Sequence, residues 1–450
     1  MNKAFLSYFQ CPEIYGSFNL LGELSAEAGD FRFCLDTICY GRSSSAVCTQ
    51  PVTRALFDAF RDARIERFTY SLPFNPADLV DNLRYERYVA SNHADGYRGT
   101  LENLVRNAYY LVRPLLPVSV RKHLQRASLR DWGRIPFPSW PVDRTVDRIL
   151  ERLLVLSMKA HGVEKIPFIW FWPNGYSSCA MMTHDIETST GLNFCSTLMD
   201  IDDSFGIKAS FQIVPVGRYI VSDGTLDAIR NRGFEINVHD FNHDGRLFWD
   251  HDEFLSRASQ INQYARQFGI KGFRSGGLYR NPDWYDAFAF SYDMSVPNVG
   301  HLDPQRGGCC TVMPYFIGRI LELPLTTTQD YSLFYILGDY SVDLWQRQIT
   351  LIREKHGLIS FIVHPDYLIG KRAQNTYIAL LAYLCQLRSE ARVWIALPGD
   401  VDTWWRQRNR MKLVPDGGRW RIEGPGNERA RIAWAMLAGE RVSYTLDQVC

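Results

Sequence analysis

The sequence contains no apolar run of the roughly 20 residues that a membrane-spanning helix needs. Its longest candidates, such as LISFIVH at 358–364, have only the length of a strand. Residues 1–16 carry one lysine and no apolar stretch of the kind that forms a signal peptide. We therefore expect a cytoplasmic protein without a membrane span.

The sequence also lacks an excess of charge of either sign, because its 50 Lys and Arg residues are balanced by 49 Asp and Glu residues. A chain without net positive charge has no field that attracts nucleic acid or an anionic membrane. We therefore expect no nucleic-acid partner. The 450 residues, 46% of them apolar, are enough for one large domain with additions or for two to three domains.

The ten cysteines include no CxxC pair. This absence argues against a zinc ribbon and against a thioredoxin-like redox site. In a chain with no predicted signal peptide, free and mostly buried thiols are favoured over disulfides.

No internal repeat or low-complexity segment is present, and three zones follow one another. Residues 1–165 form a mixed, helical N-terminal extension of unknown function. Residues 166–404 alternate short apolar runs with helical patterns, which is typical of an α/β domain with a parallel sheet. Residues 405–450 form a β-rich tail, in which RWRIEGPGNERARIAWAM at 419–436 predicts a hairpin.

Helices are predicted near 52–65, 101–113 and 142–160. The apolar runs that predict strands of the central zone lie at 178–185, 208–215, 234–240, 272–277, 294–299, 320–326, 358–365 and 392–398. Their number suits a barrel.

The stretch MMTHDIETSTG at 181–191 places a histidine and two carboxylates at the end of an apolar run. Strand alternation puts Thr183, Asp185 and Glu187 on one face, at the edge of a parallel sheet where ligands bind. Unpaired charges there cost several kcal/mol unless an ion or a catalytic role compensates. The alternative is a helix-capping carboxylate followed by a surface glutamate.

The stretch GFEINVHDFNHDG at 233–245 supplies two histidines, His239 and His243. Their i, i+4 spacing at the start of a helix would place both imidazoles on one face. Two histidines and one carboxylate are a common ligand set for a divalent metal, which lowers the pKa of bound water to about 7. The sequence therefore predicts a metal site.

Two further segments carry candidate catalytic groups. In GFRSGGLYRN at 272–281, Arg274 is either a surface residue before a turn or a guanidinium that pairs with Asp185 and keeps its pKa low. His364 ends the apolar run at 358–363 and is either a general acid or a structural histidine. Asp330, in ELPLTTTQDYSLF, could orient it.

The order of these segments resembles the NodB-homology polysaccharide deacetylases, metal-dependent enzymes on a distorted (β/α) barrel of about seven strands. That family carries an acidic motif, an HxxxH motif, an arginine motif, an aspartate motif and a terminal histidine, in this order. The flanking stretches GIKASFQIVP at 206–215 and GFEINVH at 233–239 are similar to the family's GVKATFF and GHEIxxH.

The resemblance implies hydrolysis of an N-acetyl group on a sugar or glycan. Asp185 would take a proton from metal-bound water, Arg274 would hold Asp185, and His364, with Asp330, would protonate the leaving amine. The resemblance also implies a divalent metal, with Zn²⁺ favoured, and its implied ligands are Glu187, His239 and His243. The predicted substrate-binding residues are His184, Tyr279, His301 and Trp284.

The sequence departs from the family pattern in two motifs. Its acids are separated by Ile186, whereas the family's commonest form has two adjacent aspartates, so either Asp185 or Glu187 could be the metal ligand. Ser275 and Gly276 stand where apolar and proline residues are expected. Two alternatives therefore stay open: a hydrolase of non-sugar C–N bonds or O-acetyl esters, and an inactive glycan-binding or scaffold protein.

Overall fold

A computed structural model of the chain describes residues 1–34, 37–49, 56–89 and 127–447. Its central feature is a nine-stranded sheet, to which the described residues of the N-terminal extension contribute no strand. The described strands of the extension are β1 (Asn19–Leu20), β2 (Gly29–Arg32), β3 (Ile38–Gly41), β4 (Arg64–Glu66) and β5 (Thr69–Leu72), and β6 (Lys165–Ile169) begins at its last residue. Its described helices are α1 (Lys3–Phe9), α2 (Pro76–Arg84) and α3 (Thr145–His161).

The central sheet is mostly parallel and follows the order β12-β13-β11-β10-β9-β8-β7-β14, with β15 also paired to β7. Only β12 runs antiparallel to its neighbour, β13. The strands are β7 (Ser178–Ile186), β8 (Ala209–Ile213), β9 (Glu235–His239), β10 (Gly272–Arg274), β11 (Tyr292–Asp293), β12 (Tyr315–Ile317), β13 (Ile320–Glu322), β14 (Leu358–Val363) and β15 (Val393–Ile395).

The sheet strands alternate with helices because each long parallel connection needs a crossover element. The helices are α4 (Ser189–Ser204), α5 (Asp223–Asn231), α6 (His251–Phe268), α7 (Asp343–Arg353), α8 (Lys371–Glu390) and α9 (Pro398–Arg410). Their apolar faces and the sheet form one core, with members such as Phe211, Phe254 and Trp345 at 0% exposure.

Strands β12 and β14, at the two ends of this order, are not paired with each other in the described residues, so the sheet is a curled half-barrel. Side chains bridge the open side. The Thr326 hydroxyl donates to the Leu358 carbonyl at 2.7 Å and accepts from the Ser360 amide at 2.9 Å, and the Thr327 hydroxyl donates to the Ser360 carbonyl. The expected α/β architecture with about seven strands is therefore consistent with this sheet, although backbone pairing does not close it.

The tail is β-rich, but its predicted hairpin is wrong. Strands β16 (Lys412–Asp416) and β17 (Arg419–Glu423) pair with each other, and β18 (Ile432–Ala438) pairs with β19 (Arg441–Leu446) and with β6. Gly417 and Gly418, both at positive φ, form a two-residue turn of the kind that favours a hairpin. Each of the two runs therefore pairs with its neighbour across a short turn, and not with the other run across the Gly-Pro-Gly-Asn segment at 424–427.

The other predictions have mixed outcomes. The helix near 142–160 is confirmed as α3, and the helix at 101–113 lies outside the described residues. The predicted helix near 52–65 is wrong over its described part. A 3₁₀ turn at Ala59–Asp62, capped by the Asp58 side chain, is followed there by β4. The run at 294–299 forms a single bridge, Pro297 to Leu325, instead of a strand.

A second apolar core joins the three zones. It contains Phe5 of the extension, Met181 of β7, Trp404 of α9 and Ala433 of the tail, all below 2% exposure. The boundaries near 165 and 404 stay a prediction, but apolar packing crosses both of them.

Two expectations about the whole chain can be compared with the described residues. None of their helices combines the length and apolarity that crossing a bilayer requires. The nine cysteines among them are free, as expected: Cys11, Cys34, Cys39, Cys48, Cys179, Cys195, Cys309, Cys310 and Cys385.

Candidate metal and catalytic site

The candidate site lies where four strands of the central sheet end. Asp185 lies near the end of β7, His239 ends β9, Arg274 ends β10, and His364 directly follows β14. Parallel strands present their carboxyl ends at one edge of the sheet. Residues that are far apart in the sequence therefore meet there.

Glu187, His239 and His243 form a cluster in which one candidate ligand atom of each lies within 4.8 Å of the others. Oε1 of Glu187 lies 2.9 Å from Nε2 of His243 and 3.8 Å from Nε2 of His239. The Glu187 side chain is 25% exposed, whereas both histidines are buried, so the cluster opens toward solvent on the glutamate side.

The chemistry of this cluster fits a divalent metal ion. Nε2 of His239 is buried and has no hydrogen-bond partner among the described residues, a condition that buried polar atoms rarely tolerate. Nδ1 of His239 lies 3.2 Å from the Arg274 carbonyl, which favours the tautomer with its proton on Nδ1. The lone pair on Nε2 is then available to an ion beside the Glu187 carboxylate.

The loop after β9 brings His243 to this cluster without a helix. His243 was expected at a helix start, but α6 begins only at His251, and the intervening residues form bends. Asp240 and His243 have φ of 60° and 57°, so the chain reverses and the two imidazole rings lie 4.7 Å apart. Such left-handed conformations in non-glycine residues are uncommon and concentrate at functional sites.

Asp185 and Arg274 form a buried ion pair next to the cluster. Nη1 of Arg274 donates to Oδ1 of Asp185 at 2.7 Å and to the Thr183 hydroxyl at 2.7 Å. Burial by itself would raise the pKa of Asp185, but the Arg274 guanidinium and His239 outweigh it and lower that pKa. Oδ2 of Asp185, 3.8 Å from Nε2 of His239, is left facing the cluster.

His364 and Asp330 form a second pair on the other side of Glu187. Nδ1 of His364 lies 2.6 Å from Oδ1 of Asp330, and the His364 amide donates to Oδ2 at 2.7 Å. Burial would lower the pKa of His364, but Asp330 and Glu187 raise it well above its ordinary value. Nε2 of His364 lies 3.5 Å from Oε1 of Glu187 and therefore borders the same space.

Glu187 carries the negative charge of this space. Burial would raise the pKa of Glu187, but His243, His239 and His364 together hold it well below its ordinary value. A carboxylate that stays ionised and faces two imidazoles is suited to bind a cation.

His184 was predicted to bind substrate, and its position argues against that role. Its ring is fully buried, with Nδ1 3.1 Å from the Val363 carbonyl and Nε2 3.0 Å from Asp202. Strand alternation turns it away from Asp185 because the two residues are adjacent in β7. His184 therefore braces β7 against β14 behind the site.

The other predicted substrate-binding residues lie outside the cluster. The ring of His301 is 1% exposed and lies 5.6 Å from the Trp140 ring. Trp284 packs with Phe248 and His251, and Tyr279 is 4% exposed. Their predicted contact with substrate stays a prediction.

Asp240 is a site residue that the sequence interpretation missed. It is fully buried, and its Oδ2 has no hydrogen-bond partner among the described residues. A Cβ on Gly276 would lie 2.3 Å from this oxygen and 3.0 Å from the His243 ring, so only glycine leaves room there. The Gly276–Gly277 pair was the sequence signal that could have indicated this close approach. The lack of room at Gly276 also explains why the proline of the family pattern is not found at this position.

Comparison with family models found no match, and no curated protein matched the sequence. Among solved structures, the chain is similar to a "putative polysaccharide deacetylase" from Mycobacterium smegmatis, with 17% identity, 53% of this chain and 93% of that chain covered, and a TM-score of 0.41. Puue allantoinase is 12% identical, with 52% and 92% covered and a TM-score of 0.41. A CE4 family pseudoenzyme from Bacillus anthracis is 12% identical, with 51% and 66% covered and a TM-score of 0.33.

Proposed function

We propose that this chain is a metal-dependent hydrolase that removes the N-acetyl group from a sugar or glycan. One observation carries the proposal: Glu187, His239 and His243 converge, with an Asp185–Arg274 pair on one side and a His364–Asp330 pair on the other. This arrangement supports a mechanism in which a bound cation, a general base and a general acid each act on the substrate from a separate group of residues.

Glu187, His239 and His243 would hold the ion. A divalent cation at that position supplies a water of lowered pKa and polarises the acyl carbonyl. Glu187, whose oxygen lies near both imidazoles, is favoured over Asp185 as the carboxylate ligand, because Oδ1 of Asp185 is already bound to Arg274.

Asp185 would act as the base and His364 as the acid. Oδ2 of Asp185 faces the cluster and would accept a proton from the attacking water, while Arg274 holds the other oxygen in place. His364, kept protonated by Asp330, would donate from Nε2 to the leaving nitrogen. The C–N bond of the amide breaks, the acyl group takes the oxygen of the water and leaves as acetate, and the nitrogen takes a proton and leaves as a free amine.

The direct test measures acetate release by the zinc-loaded protein from N-acetylglucosamine oligomers, O-acetyl sugars and simple N-alkyl acetamides. We expect release from the N-acetyl sugars, and a loss of about a hundredfold or more in kcat/KM for Asp185→Asn and for His364→Ala.

The substrate panel also separates the alternatives. Preferential cleavage of the O-acetyl sugars or the simple amides would keep the mechanism and overturn the sugar N-acetyl substrate. Absence of turnover on every compound, with His239→Ala behaving like the unaltered protein, would instead indicate a binding or scaffold protein.

A further inference from the structure

Arg218 is a charged residue at the site that the proposed mechanism does not use. It lies in the connection between β8 and α5, is exposed, and donates from Nε to the Asn242 carbonyl at 3.2 Å. Its Nη2 donates to the His243 carbonyl and lies 3.3 Å from Nδ1 of His243. Two backbone carbonyls of the metal-site loop therefore hold the guanidinium in place.

No carboxylate lies within ion-pair distance of Arg218 in the described residues. Asp244, on the same loop, is already bound by Arg257 through two hydrogen bonds of 2.9 Å. Glu187 is engaged by the imidazoles. Nη1 of Arg218 makes no hydrogen bond to the described residues, so its two N–H groups stay available to donate to an oxyanion.

The position of Arg218 places unbalanced positive charge beside the site. With a cation bound, the His243 ring would stand between that cation and the guanidinium, and the two positive charges would repel each other. An anionic group on the bound molecule would offset this repulsion and would meet a guanidinium that is already oriented. A neutral molecule would do neither.

We propose that the substrate carries a carboxylate or phosphate close to its N-acyl group and that Arg218 binds this oxyanion. Arg218 is thus a specificity-determining residue, and this inference rests on the proposed deacetylase function only for naming an N-acylated substrate. Recognition of the anion itself is a binding property that can be measured without turnover.

The test compares three probes: N-acetylglucosamine, which is neutral, its 6-phosphate, and N-acetylmuramic acid, which carries a carboxylate. Their binding to the zinc-loaded Asp185→Asn protein is measured by calorimetry. We expect at least one anionic probe to bind about tenfold more tightly than the neutral one. Raising NaCl from about 0.05 M to about 0.5 M should remove most of that preference. The anionic probe that binds more tightly shows whether the site prefers a phosphate or a carboxylate.

Arg218→Gln, combined with Asp185→Asn, should reduce the preference to about threefold or less, and Arg218→Lys should keep part of it. Arg388 offers a matched control, because it is also exposed and also donates to two backbone carbonyls, those of Gly206 and Phe205, at the opposite end of β8. Arg388→Gln should keep the full preference.

Three results would overturn the inference, the first two being equal binding of all three probes and an anion preference that survives Arg218→Gln. A third is an equal fall in kcat for neutral and charged probes when Arg218→Gln is made in the unaltered protein, which would mean that Arg218 only positions His243. If no probe is hydrolysed but the Arg218-dependent preference is present, the deacetylase function fails and the anion site stands.

Discussion

The carbonyl oxygen of Arg274 lies 3.2 Å from Nδ1 of His239, while the guanidinium of the same arginine holds Asp185 at 2.7 Å. One residue therefore orients the proposed metal ligand through its backbone and the proposed base through its side chain. This dual contact links the two halves of the proposed mechanism, since neither Asp185 nor His239 can shift without disturbing Arg274.

Replacing Arg274 should impair catalysis through the pKa of Asp185. In Arg274→Gln the burial of Asp185 is no longer opposed by the guanidinium, so that pKa rises, and the ionised base is lost as the pH falls. We expect kcat/KM to drop by about a hundredfold or more at neutral pH and its acid limb to move to higher pH. A pH–rate profile with an unmoved acid limb would contradict this role.

Removing one ligand of the cluster should abolish metal binding. We expect His243→Ala to lose the zinc that the unaltered protein retains, as measured by elemental analysis. Zinc at a hundredfold above its Kd should stabilise the unaltered fold by about 2.7 kcal/mol, and this gain should vanish in the variant. His251→Ala, which changes an exposed histidine at the start of α6, should keep both zinc and gain. Retention of zinc by His243→Ala would exclude the cluster as the site.

The order of motifs allowed the meeting of Asp185, Arg274 and His364 to be predicted, because all three follow apolar runs that end at one edge of a parallel sheet. The path to His243 could not be predicted in the same way. It depends on left-handed backbone at Asp240, on the room that Gly276 leaves, and on contacts across the sheet that no local pattern encodes. For the same reason, the i, i+4 spacing of the histidines indicated the correct pair but the wrong local structure.

Asp30, in β2, should make the stability of the fold depend on pH. It is 3% exposed, and its Oδ1 has no hydrogen-bond partner among the described residues. Burial raises the pKa of Asp30 from 3.8 to about 7. Between these two values the folded chain holds a proton that the unfolded chain has released, so the free energy of unfolding falls as the pH rises through this window.

Asp30→Asn removes that titration. We expect it to increase the free energy of unfolding by about 3 kcal/mol near pH 8, where the unaltered carboxyl has to ionise while buried, and to change it little near pH 4. Urea denaturation at both pH values measures the difference. Glu23→Gln, at an exposed position, serves as the control and should leave both values unchanged. Equal effects of Asp30→Asn at the two pH values would contradict the raised pKa of the Asp30 carboxyl.

A buried ion pair joins the N-terminal extension to the loop that follows β10. Arg280 donates from Nε to Oε2 of Glu86 at 2.6 Å and from Nη1 to the Leu278 carbonyl at 2.8 Å. The two charged side chains are 0% and 6% exposed, and they lie 194 positions apart. The loop that follows Arg274 is thus fixed by a carboxylate from the extension.

Glu86→Ala would leave the Arg280 guanidinium buried without its partner, and we expect a loss of about 3 to 5 kcal/mol in the free energy of unfolding. Replacing both residues, as Glu86→Leu with Arg280→Met, should recover most of that loss, because no unpaired charge is then buried. The exposed pair of Arg134 and Asp131 provides the comparison, since Asp131→Ala should change stability by less than about 1 kcal/mol. A similarly small effect of Glu86→Ala would mean that the extension does not depend on this pair, whereas a large and recoverable one would show that the extension and the central sheet unfold as one unit.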